Sequence, residues 1–418
     1  AACLMVVELI VDLRPDDGLA FNGEPLLDVF ALGGLLCLVV GLAPEKRRPS
    51  LAWVAAAGVL VSLATLTKQV AAVTFVPFAF WTLSACLGRD TEQSRLRRFA
   101  PTLALAGGAA APVLVVIARY AFARELWALR YYLFTYNAHV YLAPYGDAKA
   151  DRFEECLVAH AGWEILAAVL VSLALARALS YVQRGSFWKA LDENGFLVCV
   201  ALSAASAGLA ANASLRDFPH YYLQALPWFA LLLGLVVEEL VVPKQASMLR
   251  RILVHAAMLF PLVLAFGVLS WLRIRGYVKE AKSRRPPGIC AYVQARTRAT
   301  DSIYVWGFAA DIYTFCRRRP ASRYVFSTFV SGYVPFDDRA THAQDEARMV
   351  PGSHEILMSE LEAEHAAAVI DMPGTMGGRS MTAYPDLAEY LKRFCPPIKR
   401  EGVDVFFRRD PSGACIAQ

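Results

Sequence analysis

The sequence predicts a polytopic α-helical membrane protein that carries a soluble α/β domain at its C-terminus. Three observations predict it. The 418 residues are 57% hydrophobic and only 19% charged, below the quarter or so of charged residues usual in soluble domains, and mean hydropathy is +0.40. The long apolar runs crowd before Arg275, and the remainder has an ordinary soluble composition. Lys and Arg recur in alternate loops between those runs. The division gives a transmembrane domain over residues 1–275 and an extracytoplasmic α/β domain over 276–418.

A spanning helix needs about 20 mostly apolar residues. About eight full spans are expected: Leu26–Leu42, Leu51–Thr67, Val70–Leu87, Phe99–Ala121, Leu157–Ala178, Gly195–Ala211, Pro219–Val241 and Ile252–Ile274. The second and third are short, with Lys68 and Gln69 at the tip between them. Orientation follows from the basic loops. Lys46, Arg47 and Arg48 follow the first span, and Arg89, Arg95, Arg97 and Arg98 follow the third. Arg177, Arg184 and Lys189, then Lys244, Arg250 and Arg251, complete the set. Strict alternation puts all four loops on one side, which the positive-inside rule makes cytoplasmic. The Leu13–Pro25 loop, the Lys68–Gln69 tip, the Phe122–Cys156 segment, the Asn212–Tyr222 loop and everything after Arg275 then share the outer side of the inner (plasma) membrane.

The tail alternates strand and helix signals. Helices are expected at Pro287–Arg298, Ala309–Cys316, Ser353–Glu364 (capped by Ser353) and Pro385–Phe394. Strands are expected at "SIYVWG", "SRYVFS", "AAAVIDM" and "VDVFFRR". Strands separated by helices predict a small α/β sandwich with a largely parallel sheet. The "GTMGG" run at Gly374–Gly378 reads as a flexible loop rather than a phosphate cradle, because it lacks the spacing of a dinucleotide fingerprint.

Net charge is +5, with no basic stripe interleaved with aromatics, so a nucleic-acid partner is not expected. The nine cysteines form no C-x-x-C pair and no metal spacing. Cys3, Cys37, Cys86 and Cys199 fall in apolar runs, as small hydrophobes. Cys156, Cys290, Cys316, Cys395 and Cys415 fall outside, where disulfides can form but connectivity cannot be deduced.

Polar side chains at a membrane edge are costly and tend to be functional. Glu24 opens the first span, Lys68 and Gln69 form the hairpin tip, "LRYYLFTYNAHVYLAPYGD" holds Asn137 and His139, and "RDFPHYYLQALP" holds Arg216, Asp217, His220, Tyr221, Tyr222 and Gln224. A carboxylate can orient a hydroxyl, and Lys and Arg can neutralise a phosphate. Together they suggest group transfer from a lipid-phosphate donor, whose leaving phosphate needs a cation. Plainer roles compete: interfacial tyrosines as an aromatic belt, a snorkelling Lys68, Glu24 against its helix dipole, and Arg317–Arg319 as a solvated or headgroup-facing run. The sequon at Asn212 hugs the membrane and carries little weight.

"FNGEPLLDVFALGGLL", "LATLTKQVAAVTFVPF", "FTYNAHVY" and "RDFPHYYLQALPWFALLLG" occur in this order, followed by "TDSIYVWGFAADIYTFCRRRPASRY". The series resembles the bacterial glycosyltransferase family 39 type, related to the dolichyl-phosphate-mannose protein mannosyltransferases and the aminoarabinose lipid A transferases, with the GT-C fold. The resemblance implies transfer of a sugar from a polyprenyl-phosphate donor to a protein, lipid or glycan acceptor at the outer face of the bilayer. It implies donor and substrate contacts by Glu24, Lys68, Arg216, His220, Tyr221 and Gln224, to which the reading of polar residues at the membrane edge adds Gln69 and Asn137. No metal ligands are identified; a divalent metal is left open.

The family's usual catalytic acid lies in an outer loop between its first two spans. This chain shows no such loop, and Ala1–Leu13 reads as the end of a hydrophobic helix, so the expectation is an N-terminal truncation that removes the base, with Asp16 or Asp17 a weak substitute. Two other classes compete. A transporter or flippase for lipid-linked sugars predicts internal repeats and midplane sites, and neither is seen. A non-catalytic membrane-anchored binding protein would act through the tail.

Overall fold

The computed structural model describes residues 23–43, 49–88, 98–141, 187–213, 219–241, 288–334, 341–410 and 412–415, with isolated positions at 151, 154, 155, 168, 169, 171, 172, 176, 271 and 275. The chain divides into two compact units, Ala1–Leu129 with Asp147–Val278, and Arg130–Gly146 with Lys279–Gln418.

The first unit is helical. Its elements are α1 (Gly23–Leu42), α2 (Leu51–Thr67), a 3-10 turn (Gln69–Thr74), α3 (Phe75–Gly88), α4 (Ala100–Phe122), α5 (Leu126–Arg130), α6 (Phe187–Glu193), α7 (Gly195–Asn212), a second 3-10 turn (Pro219–Gln224) and α8 (Leu226–Val241). Among the described residues, four stretches are long and apolar enough to cross a membrane: Gly23–Leu42, Gln69–Gly88, Ala100–Phe122 and Gly195–Asn212. Leu51–Thr67 and Leu226–Leu235 are apolar but shorter. The expected span at Pro219–Val241 therefore begins as a 3-10 turn, and its α-helix starts at Leu226. Apart from those isolated positions, the expected spans Leu157–Ala178 and Ile252–Ile274 lie outside the described residues, as do the basic loops except Arg98 and Lys189.

A core of Leu35, Leu38, Val54, Val61, Phe78, Ala204, Trp228 and Leu232 joins α1, α2, α3, α7 and α8. Phe78 and Trp228 meet edge to face at 6.4 Å. Cys37 and Cys199 pack in this core as thiols, and Cys86 is also buried and outside any disulfide. Helices α2 and α4 approach until backbone meets backbone. A Cβ on Gly58 would lie 2.1 Å from the Leu105 carbonyl oxygen, and one on Gly108 would lie 2.0 Å from that of Ala55. Close small-residue contacts of this kind are the way helices pack where lipid is the solvent. The outer face of α4 leaves Leu103, Leu114 and Val115 uncovered, a surface consistent with lipid as its solvent.

The second unit holds a five-stranded sheet: β1 (Ser302–Trp306), β2 (Arg319–Pro320), β3 (Ala368–Asp371), β4 (Ile398–Arg400) and β5 (Val403–Phe407). The strand order is β2-β1-β3-β5-β4. β2-β1-β3 is parallel, whereas β3-β5-β4 is antiparallel. The sheet is therefore mixed rather than largely parallel. The cause is a hairpin whose two turn residues, Glu401 and Gly402, both have positive φ (50° and 80°), the geometry of a tight hairpin turn.

Helices α9 (Gly288–Arg296) and α10 (Asp311–Cys316) cover one face with Ile303, Val305, Ile370 and Val405. Helices α13 (Ser353–Glu364) and α14 (Pro385–Leu391) cover the other with Tyr304, Val369 and Phe406. Short helices α11 (Thr328–Ser331) and α12 (His342–Glu346) lie between β2 and α13 in the chain. Disulfides join Cys290 to Cys316 and Cys395 to Cys415.

Two local expectations are corrected. "SRYVFS" is not a strand, because its backbone is held elsewhere. The Glu360 carboxylate accepts from the Ser322 hydroxyl and the Arg323 N–H, and the Ser322 hydroxyl accepts from the Tyr324 N–H, side-chain bonds that compete with a ladder. The strand forms earlier, at Arg319–Pro320. Nor does Ser353 cap α13. Gly352 takes the cap at φ 77°, and the Ser353 hydroxyl bonds the Phe329 carbonyl.

Candidate functional site

Helix α2 ends because Lys68 is extended (φ −151°, ψ 124°). Its N–H still bonds the Ala64 carbonyl, and its own carbonyl accepts from Ala71 N–H as the 3-10 turn begins. Both ends of the break thus keep backbone partners, a requirement in an apolar setting. The break brings the Lys68 side chain to the start of α1, where Nζ bonds Glu24 Oε1. The Lys68 ammonium also lies 4.2 Å from the centre of the Tyr221 ring, a cation–π arrangement. Three separate elements thus converge: the first turn of α1, the α2 break and the Pro219–Gln224 turn.

The pair is unequally buried. The Glu24 side chain is 1% exposed and the Lys68 side chain 30%. Glu24 Oε2 is buried with no hydrogen-bond partner among the described residues, and so is Asp28 Oδ1, one helical turn on. The neighbouring Tyr222 is fixed from beneath: its hydroxyl donates 2.7 Å to Asn212 Oδ1, and the Asn212 amide donates to the Gly208 carbonyl. Asn212 is thus a buried structural residue, and its sequon side chain is committed inside the unit. Gln224 is also buried. Chemically, the cluster offers an ammonium to an anion, a second carboxylate oxygen to a hydroxyl, and an aromatic face beside both.

The described contacts do not bring the remaining sequence candidates into this cluster. Gln69 is exposed at the first position of its 3-10 turn. The Asn137 amide donates to the Tyr132 and Leu133 carbonyls within a π-helix over Tyr131–Tyr141, in the second unit. There the Tyr132 and Tyr136 rings pack on Phe329, with centroids 6.1 and 5.1 Å away, so these tyrosines have packing partners in the α/β unit. His220 has its backbone in the Pro219–Gln224 turn, and its side chain lies outside the described residues, as do Arg216, Asp217, Asp16 and Asp17.

The run Arg317–Arg319 is not uniformly solvated. Arg318 is buried and donates to the Thr297 hydroxyl and to the carbonyls of Gln294, Thr297, Cys316 and Arg317. The "GTMGG" run is an ordered turn. Pro373–Met376 is 3-10, and the Phe308 N–H donates 2.9 Å to Thr375 Oγ1.

Three features escaped the sequence reading. Asp28 sits four residues after Glu24, a spacing that could have flagged it. His354 faces Asp386 Oδ2 through Nδ1 (2.7 Å) and the Val330 carbonyl through Nε2 (2.9 Å), and no local pattern announces that pairing. Asp371 and Asp404 are opposite each other across β3 and β5. Burial pushes the Asp371 carboxyl above its ordinary range, hydrogen bonds from the Ser380 hydroxyl and Met381 N–H pull back, and Asp404 adds to the rise. Among the described residues no group of three His, Cys, Asp or Glu side chains is gathered to hold a metal.

No family model, curated protein or solved structure matches the chain.

Proposed function

We propose that the chain is a polytopic, GT-C-type glycosyltransferase related to family 39, transferring a sugar from a polyprenyl-phosphate donor to an acceptor at the extracytoplasmic membrane face. The observation that carries the reading is the meeting of Glu24, Lys68 and Tyr221 from three distant stretches of sequence. These are residues that the family resemblance assigns to the donor and substrate site. In this reading the Lys68 ammonium receives the donor phosphate, its positive charge opposing the charge that builds on the leaving group. Glu24 holds the ammonium in place, and its second oxygen receives a sugar hydroxyl. The eight-span arrangement and the outer location of the second unit belong to the same proposal. They are supported by the four basic loops and by two disulfides in that unit, since disulfides persist outside the reducing cytosol.

The test is sugar transfer from a radiolabelled polyprenyl-phosphate sugar in membranes of cells expressing the protein. Lys68→Ala is expected to abolish turnover while leaving the protein in the membrane at wild-type level. Undiminished turnover in that variant would overturn the assignment of Lys68, and no transfer by the wild type from any polyprenyl-phosphate sugar would overturn the activity.

A further inference from the structure

In parallel α/β sheets, ligands usually bind beyond the carboxyl ends of the strands. Here that edge is filled: Thr375 Oγ1 accepts from the Phe308 N–H, and a Cβ on Gly307 would lie 2.8 Å from the same oxygen. The opposite edge is open. A cavity of about 670 Å³ lies there, among residues just before β1 and β3 and just after β5. Its lining includes Arg296, Arg298, Arg408 and Arg409, with Asp301 as the single acid.

The charge on this lining is uncompensated. Five other arginines of the unit are paired with acids: Arg323 with Glu360, Arg379 and Arg348 with Asp345, Arg393 with Glu362, and Arg319 with Glu364. Among the described residues, none of the four cavity arginines makes an ion pair. Arg408 donates to the Ala366 carbonyl and the Tyr390 hydroxyl, and Arg409 to the Phe394 and Gly413 carbonyls. Arg296 stacks on Tyr292 at 3.8 Å. Asp301 accepts from the Arg298 backbone N–H. Beneath the lining, the buried Arg318 adds a further guanidinium on Thr297 and backbone carbonyls. Such a concave, one-signed site focuses potential and draws in anions. Guanidinium forks match phosphate oxygens in geometry, and Ile398 and Phe407 give the wall an apolar stretch on which a ring can rest. The Cys395–Cys415 disulfide closes the rim.

We propose that this cavity is a binding site for a phosphate-bearing ligand with an attached sugar or other ring, held by Arg296, Arg298, Arg408 and Arg409. The site is independent of the Lys68 cluster and of the transferase reading.

The test is isothermal titration of the full chain, reconstituted in nanodiscs, with glucose 1-phosphate, inorganic phosphate and neutral glucose. Glucose 1-phosphate is expected to bind, with an affinity that falls as salt rises, and glucose not to bind. Arg296→Gln with Arg298→Gln should weaken binding at least about tenfold, whereas Lys392→Gln, at an exposed residue outside the cavity lining, should leave it unchanged. Because Arg298 is exposed, with no side-chain hydrogen bond among the described residues, Arg298→Glu alone is a second variant with little risk to folding, and should abolish binding. Weaker glucose 1-phosphate binding in phosphatidylglycerol than in phosphatidylcholine nanodiscs would identify a lipid headgroup as the phosphate source. Equal binding in the two would identify a soluble one. Absence of binding, equal binding of neutral glucose, or binding that survives both arginine variants would each overturn the proposal.

Discussion

The Glu24–Lys68 pair makes a prediction that a symmetrical salt bridge would not. The two variants to compare are Lys68→Met and Glu24→Gln. Removing the lysine leaves a carboxylate whose side chain is 1% exposed, and stranding a buried charge costs about 3–5 kcal/mol. Removing the carboxylate leaves an ammonium on a side chain that is 30% exposed, with a flexible stem that can carry it to water. The loss is then closer to that of one hydrogen bond, about 1 kcal/mol. The double variant removes both charges and should cost less than Lys68→Met alone, giving a coupling energy of about 2 kcal/mol or more. The assay is equilibrium unfolding in mixed micelles, followed by helical circular dichroism. Equal costs for the two single variants, summing to the cost of the double, would refute the reasoning, because they would mean that Glu24 is hydrated in the folded protein.

Three further predictions follow from the packing. Ala at Gly58 or Gly108 should destabilise the first unit by more than about 1 kcal/mol in the same unfolding assay, because the added methyl meets backbone at 2.1 or 2.0 Å. Gly332→Ala should unfold the second unit at lower denaturant, as φ is +70° there and the Cβ would meet the Asp345 carbonyl oxygen at 1.7 Å. The Asp371 carboxyl is raised in the folded state, chiefly by burial, so the folded protein holds its proton longer than the unfolded chain. Its contribution to stability is fully present below the unfolded value of about 4 and is lost as pH rises through the folded value. Asp371→Asn should flatten the fall in stability between the unfolded and the folded value, measured by denaturant melts across the acidic range, and an unchanged slope would contradict it.

What was legible in the sequence divides along physical lines. Apolar runs and their polar interruptions are local, so α1, α2, α4 and α7 lie close to where hydropathy puts them. The break at Lys68 was readable for the same reason. "SIYVWG" and "AAAVIDM" are apolar on both faces, as strands covered on both sides must be, and they form β1 and β3. "SRYVFS" has the same apolar look, but its backbone bonds belong to Glu360, nearly forty positions away in the chain. The sheet's mixed direction turned on two positive φ values in a short turn, which Gly402 alone only hinted at. Within the candidate site, residue types were readable, but the unequal burial of Glu24 and Lys68 depends on packing between α1, α2 and the Pro219–Gln224 turn.

The contact of Gly58 and Gly108 with opposing backbone also has a mechanical meaning. Lys68 lies ten residues beyond Gly58, about 15 Å along the α2 axis. A helix clamped backbone to backbone at that point cannot slide lengthwise past its neighbour without prising the two apart. It behaves as a post anchored at mid-height, with the lysine at its top. Any travel of the ammonium toward a ligand must then come from rotation about the extended Lys68 backbone and its four-carbon stem, so the reach of the cation is set by one residue's torsions rather than by a helix displacement.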